Sequence, residues 1–519
     1  MRGKRLAAID IGTNSIRSIV VEAGQGGAFR ILDDEKATVR LGEGFAQSGA
    51  ISPAAWQRAM DGLSRMKKII DGYGVETVEA VATSAVRKAA NGPSFVAAIK
   101  ADIGIDVAVI GGEEEAELAV LSARNNFDME GISYAMVDIG GGSLEIVTAL
   151  GSHIEEIYSL ELGAVVLTEK FITSDPVGSR DYSRLRKHVR KSLKNVFDGE
   201  EPSLGTILGS GGTMTAIAAM VMAMRTERYD SVHGYEVLRS EVVHLLAMLL
   251  RKDLKGRLGV PGLNPDRADI IVAGVVAVDE LMAFFGANVL KVNERGIREG
   301  LILRSLKKHN LLPVAARARN WRQSVLEFAH SCHFDEEHSL QVARLSLHIF
   351  DALSAPFGMG KRERQLLESA AILHDIGYFI SYSRHHKHSY HLIRHADLFG
   401  FTPRETELMA NIARYHRKSL PRKKHESFIR LAPADQQLVS RLGGILRLAD
   451  GLDRRRNSFV MAIECSLSPS NLTLCLEGGE DLSVELFGGK LKGDLLESAF
   501  KLKLQLLPVQ NPEALGSRL

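Results

Sequence analysis

The stretch Ile9-Asp10-Ile11-Gly12-Thr13-Asn14-Ser15-Ile16 has a counterpart in Val137-Asp138-Ile139-Gly140-Gly141-Gly142-Ser143-Leu144, where Asp138 follows Asp10 by 128 residues. Each glycine turn lies between two apolar runs, a pattern that predicts a β-hairpin in both places. At such a turn the glycines let the backbone approach a ligand, and N–H groups and hydroxyls can hold phosphate oxygens. One copy would indicate only a tight turn, but two copies at this spacing predict two duplicated halves that face one cleft.

Strand and helix patterns alternate through the first part of the chain. Strands are expected at Leu6–Asp10, Ile16–Glu22, Lys36–Leu41, Thr77–Thr83 and Asp106–Ile110, and helices at Pro53–Gly72, Pro93–Ile103 and Glu113–Phe127. The pattern begins again with strands expected at Tyr134–Asp138, Leu144–Ala149, His153–Leu160 and Gly205–Gly209. A third glycine turn, containing Gly211 and Gly212, then opens a helix. This repetition predicts a duplicated α/β fold.

The pattern becomes helical after Pro313, where apolar residues recur at helical spacing, and strand character returns from Phe459 onward. These changes predict four domains. They are lobe I at residues 1–127, lobe II at 128–308, a helical domain at 309–455 and a small α+β domain at 456–519.

Composition predicts a globular protein of a reducing, cytoplasmic compartment. The chain has 519 residues, of which 45% are hydrophobic and 25% charged, and its three cysteines show no C-x-x-C spacing. The longest apolar runs, Ala216–Met224 and Ile270–Val278, are shorter than the roughly 18 residues that a membrane-spanning helix needs. We expect both runs to form buried helices and expect no membrane span.

A net charge of +2 conceals a basic region. Residues 361–425 contain 13 Lys or Arg against 6 Asp or Glu, together with 8 of the 17 histidines. A solvated helical surface is one explanation, and a track for a polyanion is the other. No nucleic-acid-binding motif accompanies the region, and aromatic residues make up only 6% of the chain, so we expect no nucleic-acid partner.

Six motifs together resemble the exopolyphosphatase/guanosine pentaphosphate phosphatase (Ppx/GppA) family of the actin-like ATPase superfamily. The resemblance covers roughly residues 5–305 closely. It is carried by residues 8–17 (AIDIGTNSIR), 82–87 (ATSAVR), 112–116 (GEEEA), 137–143 (VDIGGGS), 209–213 (GSGGT) and 295–300 (RGIREG). It implies duplicated actin-like (ribonuclease H-like) lobes, a C-terminal HD-like helical domain, a small α+β tail and a homodimer.

The resemblance also implies a reaction, the hydrolysis of a terminal phosphoanhydride with Mg²⁺ as cofactor. Glu115 aligns with the catalytic base, Arg87 would clamp phosphate, and Asp138 and Glu145 would hold Mg²⁺. The implied phosphate-binding residues are Asp10, Gly12, Thr13, Asn14, Ser15, Gly140, Gly141, Gly142, Ser143, Gly211 and Gly212.

Taken by themselves, these residues also have ordinary structural explanations. Glu113, Glu114 and Glu115 suit the first turn of a helix electrostatically. Arg87 could be a surface residue between a strand and a helix, and Glu145 could be an outward-facing strand residue.

A second set of residues, His338, His374, Asp375 and Asp450, resembles the H…HD…D metal centre of the HD phosphohydrolase superfamily. Imidazoles and carboxylates would form a divalent-metal site if they converge. The alternative is that these residues form hydrogen bonds between helices. In that case His385, His386, His388 and His391 would only line a basic groove.

The function predicted from the resemblance is an exopolyphosphatase that acts on inorganic polyphosphate. Release of the 5′ γ-phosphate from guanosine pentaphosphate (pppGpp) by the same residues is the nearest alternative. An ATP-dependent kinase or ATPase of the same superfamily and a non-catalytic polyphosphate or alarmone sensor are alternatives of other classes. Glu115 and Arg87 favour the phosphatase.

Overall fold

The computed structural model describes residues 3–24, 29–198, 202–311, 320–479 and 481–509. The chain divides into two compact units, residues 1–318 and residues 319–519. The finer division at residues 127, 308 and 455 stays a prediction.

The first sheet of the first unit has the strand order β3-β2-β1-β4-β5, with β1 antiparallel to β2 and parallel to β4. The strands are β1 Arg5–Ile11, β2 Ser15–Ala23, β3 Phe29–Thr38, β4 Thr77–Ala82 and β5 Val107–Val109. The accompanying helices are α1 Phe45–Ser48, α2 Pro53–Gly72, α3 Ser84–Lys88, α4 Gly92–Ile103 and α5 Gly112–Asn126. Helix α2 begins where the sequence predicts because the Ser52 side chain accepts from the backbone N–H of Ala55 and Pro53 fits the first turn.

The predicted strand Lys36–Leu41 is wrong in its bounds. Strand β3 begins seven residues earlier and ends at Thr38. It lies at the edge of the sheet, and most of its residues are only partly buried. An edge strand of this kind can carry polar residues on both faces, so the segment Leu32-Asp33-Asp34-Glu35 lacks the apolar alternation that marks a strand.

The second sheet has the strand order β10-β11-β9-β6-β7-β8. Its strands are β6 Ser133–Ile139, β7 Leu144–Leu150, β8 His153–Leu160, β9 Thr206–Ser210, β10 Glu236–Leu238 and β11 Val289–Val292. Its helices are α6 Ala164–Phe171, α7 Ser179–Val196, α8 Gly212–Met224, α9 Arg239–Leu250, α10 Leu254–Leu258, α11 Ile271–Phe284 and α12 Ile297–Lys308, with a 3-10 turn at Pro265–Arg267. Helices α8 and α11 contain the two long apolar runs and are mostly buried, as predicted.

The two predicted hairpins are equivalent down to their registers. Asp10 pairs with Arg17 across β1 and β2, and Asp138 pairs with Glu145 across β6 and β7. Each turn is closed by a 3.1 Å bond from the N–H of its first glycine to the carbonyl of its serine, Gly12 to Ser15 and Gly140 to Ser143. The sequence repeat therefore corresponds to a structural repeat.

Two helices pack against the sheet of the opposite lobe. Helix α5 follows the first sheet in sequence but buries Ala116, Val120 and Ala123 against β6 and β7. Helix α12 follows the second sheet but buries its leucines against β1 and β2. Glu299 of α12 accepts hydrogen bonds from the Ser122 hydroxyl and the Asn126 amide of α5, both at 2.7 Å. This exchange links the two lobes and fixes the first turn of α5 near both hairpins.

The second unit is a helical bundle that packs with a three-stranded sheet in one apolar core. Its helices are α13 Trp321–Ser331, α14 Glu336–Ser354, α15 Lys361–Leu373, α16 His385–Arg394, α17 Pro403–Arg414, α18 Glu426–Ile429, α19 Pro433–Leu452, α20 Ser483–Lys492 and α21 Asp494–Phe500, with a 3-10 turn at Ile376–Phe379. Its strands are β12 Val460–Leu467, β13 Asn471–Gly478 and β14 Lys503–Pro508. Among the described helices of the whole chain, none has the length and apolar content required to cross a bilayer.

Candidate active site

A cavity of about 120 Å³ lies between the two hairpin turns of the first unit. All the predicted phosphate-binding residues line it, and so do Glu115, Asp138 and Glu145. The other lining residues are Arg17, Thr83, Ser84, Ile139, Ser210, Thr215, Arg267, Glu294, Gly296, Ile297 and Arg298. The two turns and the third glycine turn therefore meet at one site, as the repeat predicts.

Glycine is required where these turns approach one another. A Cβ on Gly142 would lie 2.7 Å from the Thr13 hydroxyl and 2.6 Å from the Ser84 hydroxyl, so the two hairpin turns are almost in contact. Gly211 has a φ of 91°, and a Cβ there would lie 2.6 Å from the Ile139 carbonyl and 2.7 Å from Asp138 Oδ1. A side chain at either position would displace groups that line the cavity.

Four carboxylates from different elements line the cavity together with the exposed Glu294. Asp10 and Asp138 are the penultimate residues of β1 and β6, Glu145 is on β7, and Glu115 is in the first turn of α5. Burial raises the pKa of Asp10 to about 6, against the effect of Arg298. Burial and the charge of Asp10 raise the pKa of Asp138 to about 6, and burial with the charges of Glu115 and Asp138 raises that of Glu145 well above its usual range. These four groups bring negative charge together at one cavity.

Glu115 differs from its two neighbours in the acidic first turn of α5. Glu113 is exposed, Glu114 forms an ion pair with Arg304, and Glu115 is 4% exposed. Burial raises the pKa of Glu115 to about 7, partly offset by the ion pair with Arg87. A carboxyl group with this pKa is suited to proton transfer near neutral pH.

Arg87 lies beside Glu115, and the residues described as lining the cavity do not include it. Its Nη1 donates to Glu115 Oε1 at 2.8 Å and to the Ile110 carbonyl at 2.5 Å. These bonds hold the Glu115 carboxylate. The predicted role of Arg87 as a phosphate clamp stays a prediction.

Three other arginines line the cavity and were not predicted as site residues. Arg17 faces Asp10 across the first hairpin, Arg298 is in the first turn of α12, and Arg267 ends the 3-10 turn. Burial and the nearby charge of Arg17 lower the pKa of Arg267 to about 10. Arg17 and Arg298 belong to the motifs quoted above, whereas no local pattern distinguishes Arg267. Together these guanidinium groups can hold phosphate oxygens.

The donor set fits a magnesium ion. Mg²⁺ prefers hard oxygen ligands, and the cavity offers four carboxylates, of which Glu115 and Glu145 are buried and Asp10 and Asp138 partly buried. Asp10 Oδ1 is buried and has no hydrogen-bond partner among the described residues. A buried carboxylate oxygen without a donor is costly unless a cation neutralises it.

The residues of the second predicted set also converge. His338 and His374 are 1% and 0% exposed. His338 Nε2 lies 3.6 Å from Asp450 Oδ1, and His374 Nε2 lies 3.6 Å from Asp375 Oδ2. Of the histidines that would line a basic groove in the alternative interpretation, His385 and His386 are buried, and His385 lies 3.2 Å from Asp375 through its Nε2.

Comparison with known proteins agrees with the geometry. The sequence profile of the Ppx/GppA phosphatase family matches residues 19–309, and the profile of domain III of Ppx/GppA phosphatases matches residues 321–486. The chain belongs to the Ppx/GppA phosphatase family. The predicted family and fold class, with actin-like lobes and a C-terminal helical domain, are thereby confirmed.

Two solved structures illustrate the relationship. The Aquifex aeolicus member of the Ppx/GppA family is 30% identical, with a TM-score of 0.52, and the match covers 59% of this chain and 99% of that protein. An exopolyphosphatase from Cytophaga hutchinsonii is 26% identical, with a TM-score of 0.56, and the match covers 60% of this chain and 100% of that protein. This chain is therefore longer than both of these solved chains. Its predicted homodimer and cytoplasmic location stay predictions.

Proposed function

We propose that this phosphatase is an exopolyphosphatase that releases the terminal phosphate of inorganic polyphosphate. The observation that carries the proposal is the meeting of two glycine turns, four carboxylates and three arginines at one cavity. The name of the Cytophaga hutchinsonii relative supports the choice of substrate.

Asp10, Asp138 and Glu145 would hold Mg²⁺, which would neutralise the phosphate charge when bound. The backbone N–H groups of Gly140 to Gly142 and the hydroxyls of Thr13 and Ser143 would bind the terminal phosphoryl oxygens. Arg267 and Arg298 would bind the neighbouring phosphates. These contacts would hold the terminal phosphorus in line with an attacking water.

Glu115 is proposed as the general base. It would take a proton from water as the oxygen of that water forms a bond to the terminal phosphorus. The bond from this phosphorus to the bridging oxygen breaks, and the shortened chain leaves with that oxygen. Arg87 would keep the Glu115 carboxylate in place through its bond to Oε1. The raised pKa of Glu115 supports this role, because a base with a pKa near the working pH is most effective.

The substitution Glu115→Gln tests the base. We expect turnover to fall by roughly 10²- to 10⁴-fold while polyphosphate still binds, because the amide cannot accept the proton. Glu113→Gln, in the same helical turn but exposed, is the matched control and should keep normal turnover. Near-normal turnover in folded Glu115→Gln would remove this residue from the mechanism.

The substrate is tested by measuring phosphate release from long-chain polyphosphate and from pppGpp side by side. We expect a higher kcat/KM for polyphosphate. A clear preference for pppGpp would replace the proposed substrate and leave the role of Glu115 intact.

A further inference from the structure

A row of positive charges runs along the exposed face of α7, and the proposed reaction does not use it. The helix contains seven Lys or Arg against one acidic residue, Asp181. Arg180, Arg184, Lys187 and Lys191 are all exposed and follow one another at spacings of four, three and four residues. We refer to these four residues as the α7 stripe.

The α7 stripe is long and narrow. At about 100° per residue, positions with this spacing lie within an arc of about 60°, and at a rise of about 1.5 Å they extend over roughly 16 Å. The opposite face of the helix buries Leu185, Val189 and Leu193 in the core of the second lobe. The helix therefore presents a row of cations and not a broad basic surface.

Nearby carboxylates do not neutralise the α7 stripe. None of its four residues forms an ion pair with a residue that the structure describes. Arg186 and Arg190 of the same helix differ, because both bond to the buried Glu280. The carboxylate of Asp181 is buried and accepts hydrogen bonds from the loop that precedes the helix. Both acidic groups are therefore already bonded elsewhere.

Helix α2 of the same unit shows how helical cations are otherwise compensated. Its Arg58, Arg65 and Lys67 each form an ion pair with a carboxylate. Like charges three or four residues apart on a helix repel one another. A helix that carries four such charges without acidic partners is stabilised when an anion binds along the row.

Further positive charge adjoins the α7 stripe at the end of α6. Lys170 Nζ and the guanidinium carbon of Arg184 lie 5.6 Å and 5.9 Å from the centre of the Phe171 ring. Burial and the charges of Lys170 and Lys191 lower the pKa of His188. The two lysines therefore disfavour another positive charge here, as expected where the local potential is positive.

Helix α6 connects the α7 stripe with the cavity. It begins at the second hairpin turn, where the Val165 N–H donates to the Gly141 carbonyl at 2.9 Å. It ends at Phe171, and its eight residues correspond to a length of about 12 Å. A chain of phosphates whose end lies in the cavity can therefore reach the stripe only if it is several phosphates long.

The other exposed residues of α7 distinguish between classes of anion. They are Ser179, Ser183, Arg190, Lys194 and Asn195, and none of them is apolar or aromatic. Docking on an anionic membrane depends on apolar residues that enter the bilayer. Binding of a single-stranded nucleic acid depends on aromatic rings on which bases stack. A chain of phosphates needs only positive charges in a row, and the stripe provides them.

We propose that the α7 stripe is a second binding site for inorganic polyphosphate, outside the cavity of the first unit. The identity of the anion rests on the proposed function. The stripe holds a middle part of a long chain while the end of that chain lies in the cavity, so long chains bind more tightly than short ones. All four residues belong to residues 1–318, so this site is distinct from the basic region at residues 361–425.

The test is equilibrium binding of long-chain polyphosphate to the full chain in EDTA, where Mg²⁺-dependent turnover does not consume the ligand. In the variant Arg184→Gln/Lys187→Gln/Lys191→Gln, we expect about tenfold weaker binding. The slope of log affinity against log salt concentration should decrease by about 2, because three phosphate contacts are lost and each contributes about 0.7. Hydrolysis of tripolyphosphate with Mg²⁺ should be unchanged, which also shows that the variant is folded.

The matched control is Lys68→Gln/Lys255→Gln/Lys307→Gln. These lysines are exposed and lie on three different helices of the same unit, and the change in net charge is the same. We expect this variant to bind long chains as the wild type does. Equal weakening in both triple variants, or weakening in neither, would overturn the proposal.

Two further measurements separate the alternatives. If the wild type binds single-stranded RNA more tightly than polyphosphate and the stripe variant loses this binding, the stripe is a nucleic-acid surface and the proposal is wrong. Phosphate release separates the stripe from the proposed function. A wild type that binds long chains through the stripe but releases no phosphate would contradict the proposed function and leave the stripe assignment intact. Release of phosphate with the same KM for long chains in wild type and stripe variant would contradict the stripe assignment alone.

Discussion

Asp10 and Asp138 hold equivalent places in the two hairpins, but the residues paired with them differ. Asp10 faces Arg17, whereas Asp138 faces Glu145. The two equivalent hairpins therefore present a cation, Arg17, in the first lobe and a second carboxylate, Glu145, in the second lobe. This asymmetry suits a substrate with phosphate oxygens on one side and a metal ion on the other.

The raised pKa values of the cavity carboxylates predict how the free energy of unfolding depends on pH. Asp10 and Asp138 have a pKa of about 6 when folded, against 3.8 as the ordinary value, and Glu115 has about 7 against 4.5. The folded chain therefore holds these protons more tightly than the unfolded chain does. Without Mg²⁺, the contribution of these three carboxyl groups to the free energy of unfolding is fully present below about pH 4. It is lost as the pH rises to about 7. One pKa unit corresponds to about 1.4 kcal/mol, so we expect a loss of a few kcal/mol.

The measurement is the free energy of unfolding in EDTA between pH 4 and 8, for the wild type and for Asp138→Asn. Burial lowers the pKa of His374 and His416 in the second unit, so these groups change stability in the opposite direction. The difference between the two proteins isolates the effect of Asp138. Mg²⁺ at pH 8 should raise the Tm of the wild type more than that of the variant. Equal pH profiles for both proteins would contradict the prediction.

Single residues of the sites were predictable only where a local pattern exists. The aspartates, glycines and hydroxyls of the hairpin turns belong to a repeated motif, and Glu115 belongs to a motif of the family. Arg267 was not predictable, because it ends a short 3-10 turn and reaches the cavity only through the fold. His416 was not predictable either, because nothing in its local sequence indicates that it lies close to His385 and Asp375.

Among the structural elements, the turn between β9 and α8 depends most directly on one residue. Gly211→Ala would place a Cβ at a φ of 91° and 2.6 Å from the Ile139 carbonyl. We expect the free energy of unfolding to fall by about 1–3 kcal/mol, and turnover to fall because Asp138 is displaced. The matched control is Gly205→Ala, just before the same strand, where nothing lies within 4 Å of the added Cβ. Denaturant unfolding and phosphate release measure both effects, and similar results for the two variants would refute the account of this turn.

The hairpins, the buried helices and most strands followed from periodicity because one face of each is apolar and buried. The packing of α5 and α12 on opposite lobes could not be predicted from periodicity. The sequence of an amphipathic helix shows that it has an apolar face, but not which sheet covers that face. In this chain that choice shapes the candidate site, since it carries Glu115 from the first lobe to a position near Asp138 and Glu145.

At the scale of the whole molecule, the second unit adds a basic surface to the phosphatase. Its exposed cations include Lys387, Lys418, Arg422, Lys423 and Lys424. Much of the acidic charge of the same region is already paired internally, as in the ion pair of Arg362 with Glu405. The surface is therefore suited to a long polyanion, whose many charges can release counterions together.

This surface predicts a dependence on chain length. Lys418→Glu, Lys423→Glu and Lys424→Glu together should weaken binding of long polyphosphate and leave short chains little affected, because only a long chain can extend beyond the cavity. Binding of long chains by the wild type should also fall more steeply with salt than binding by the variant. Lys490→Glu, Lys501→Glu and Lys503→Glu, also exposed and in the same unit, are the matched control for net charge. If both triple variants weaken long-chain binding equally, net charge and not this surface is responsible. If neither does, the basic region is an ordinary solvated helical surface.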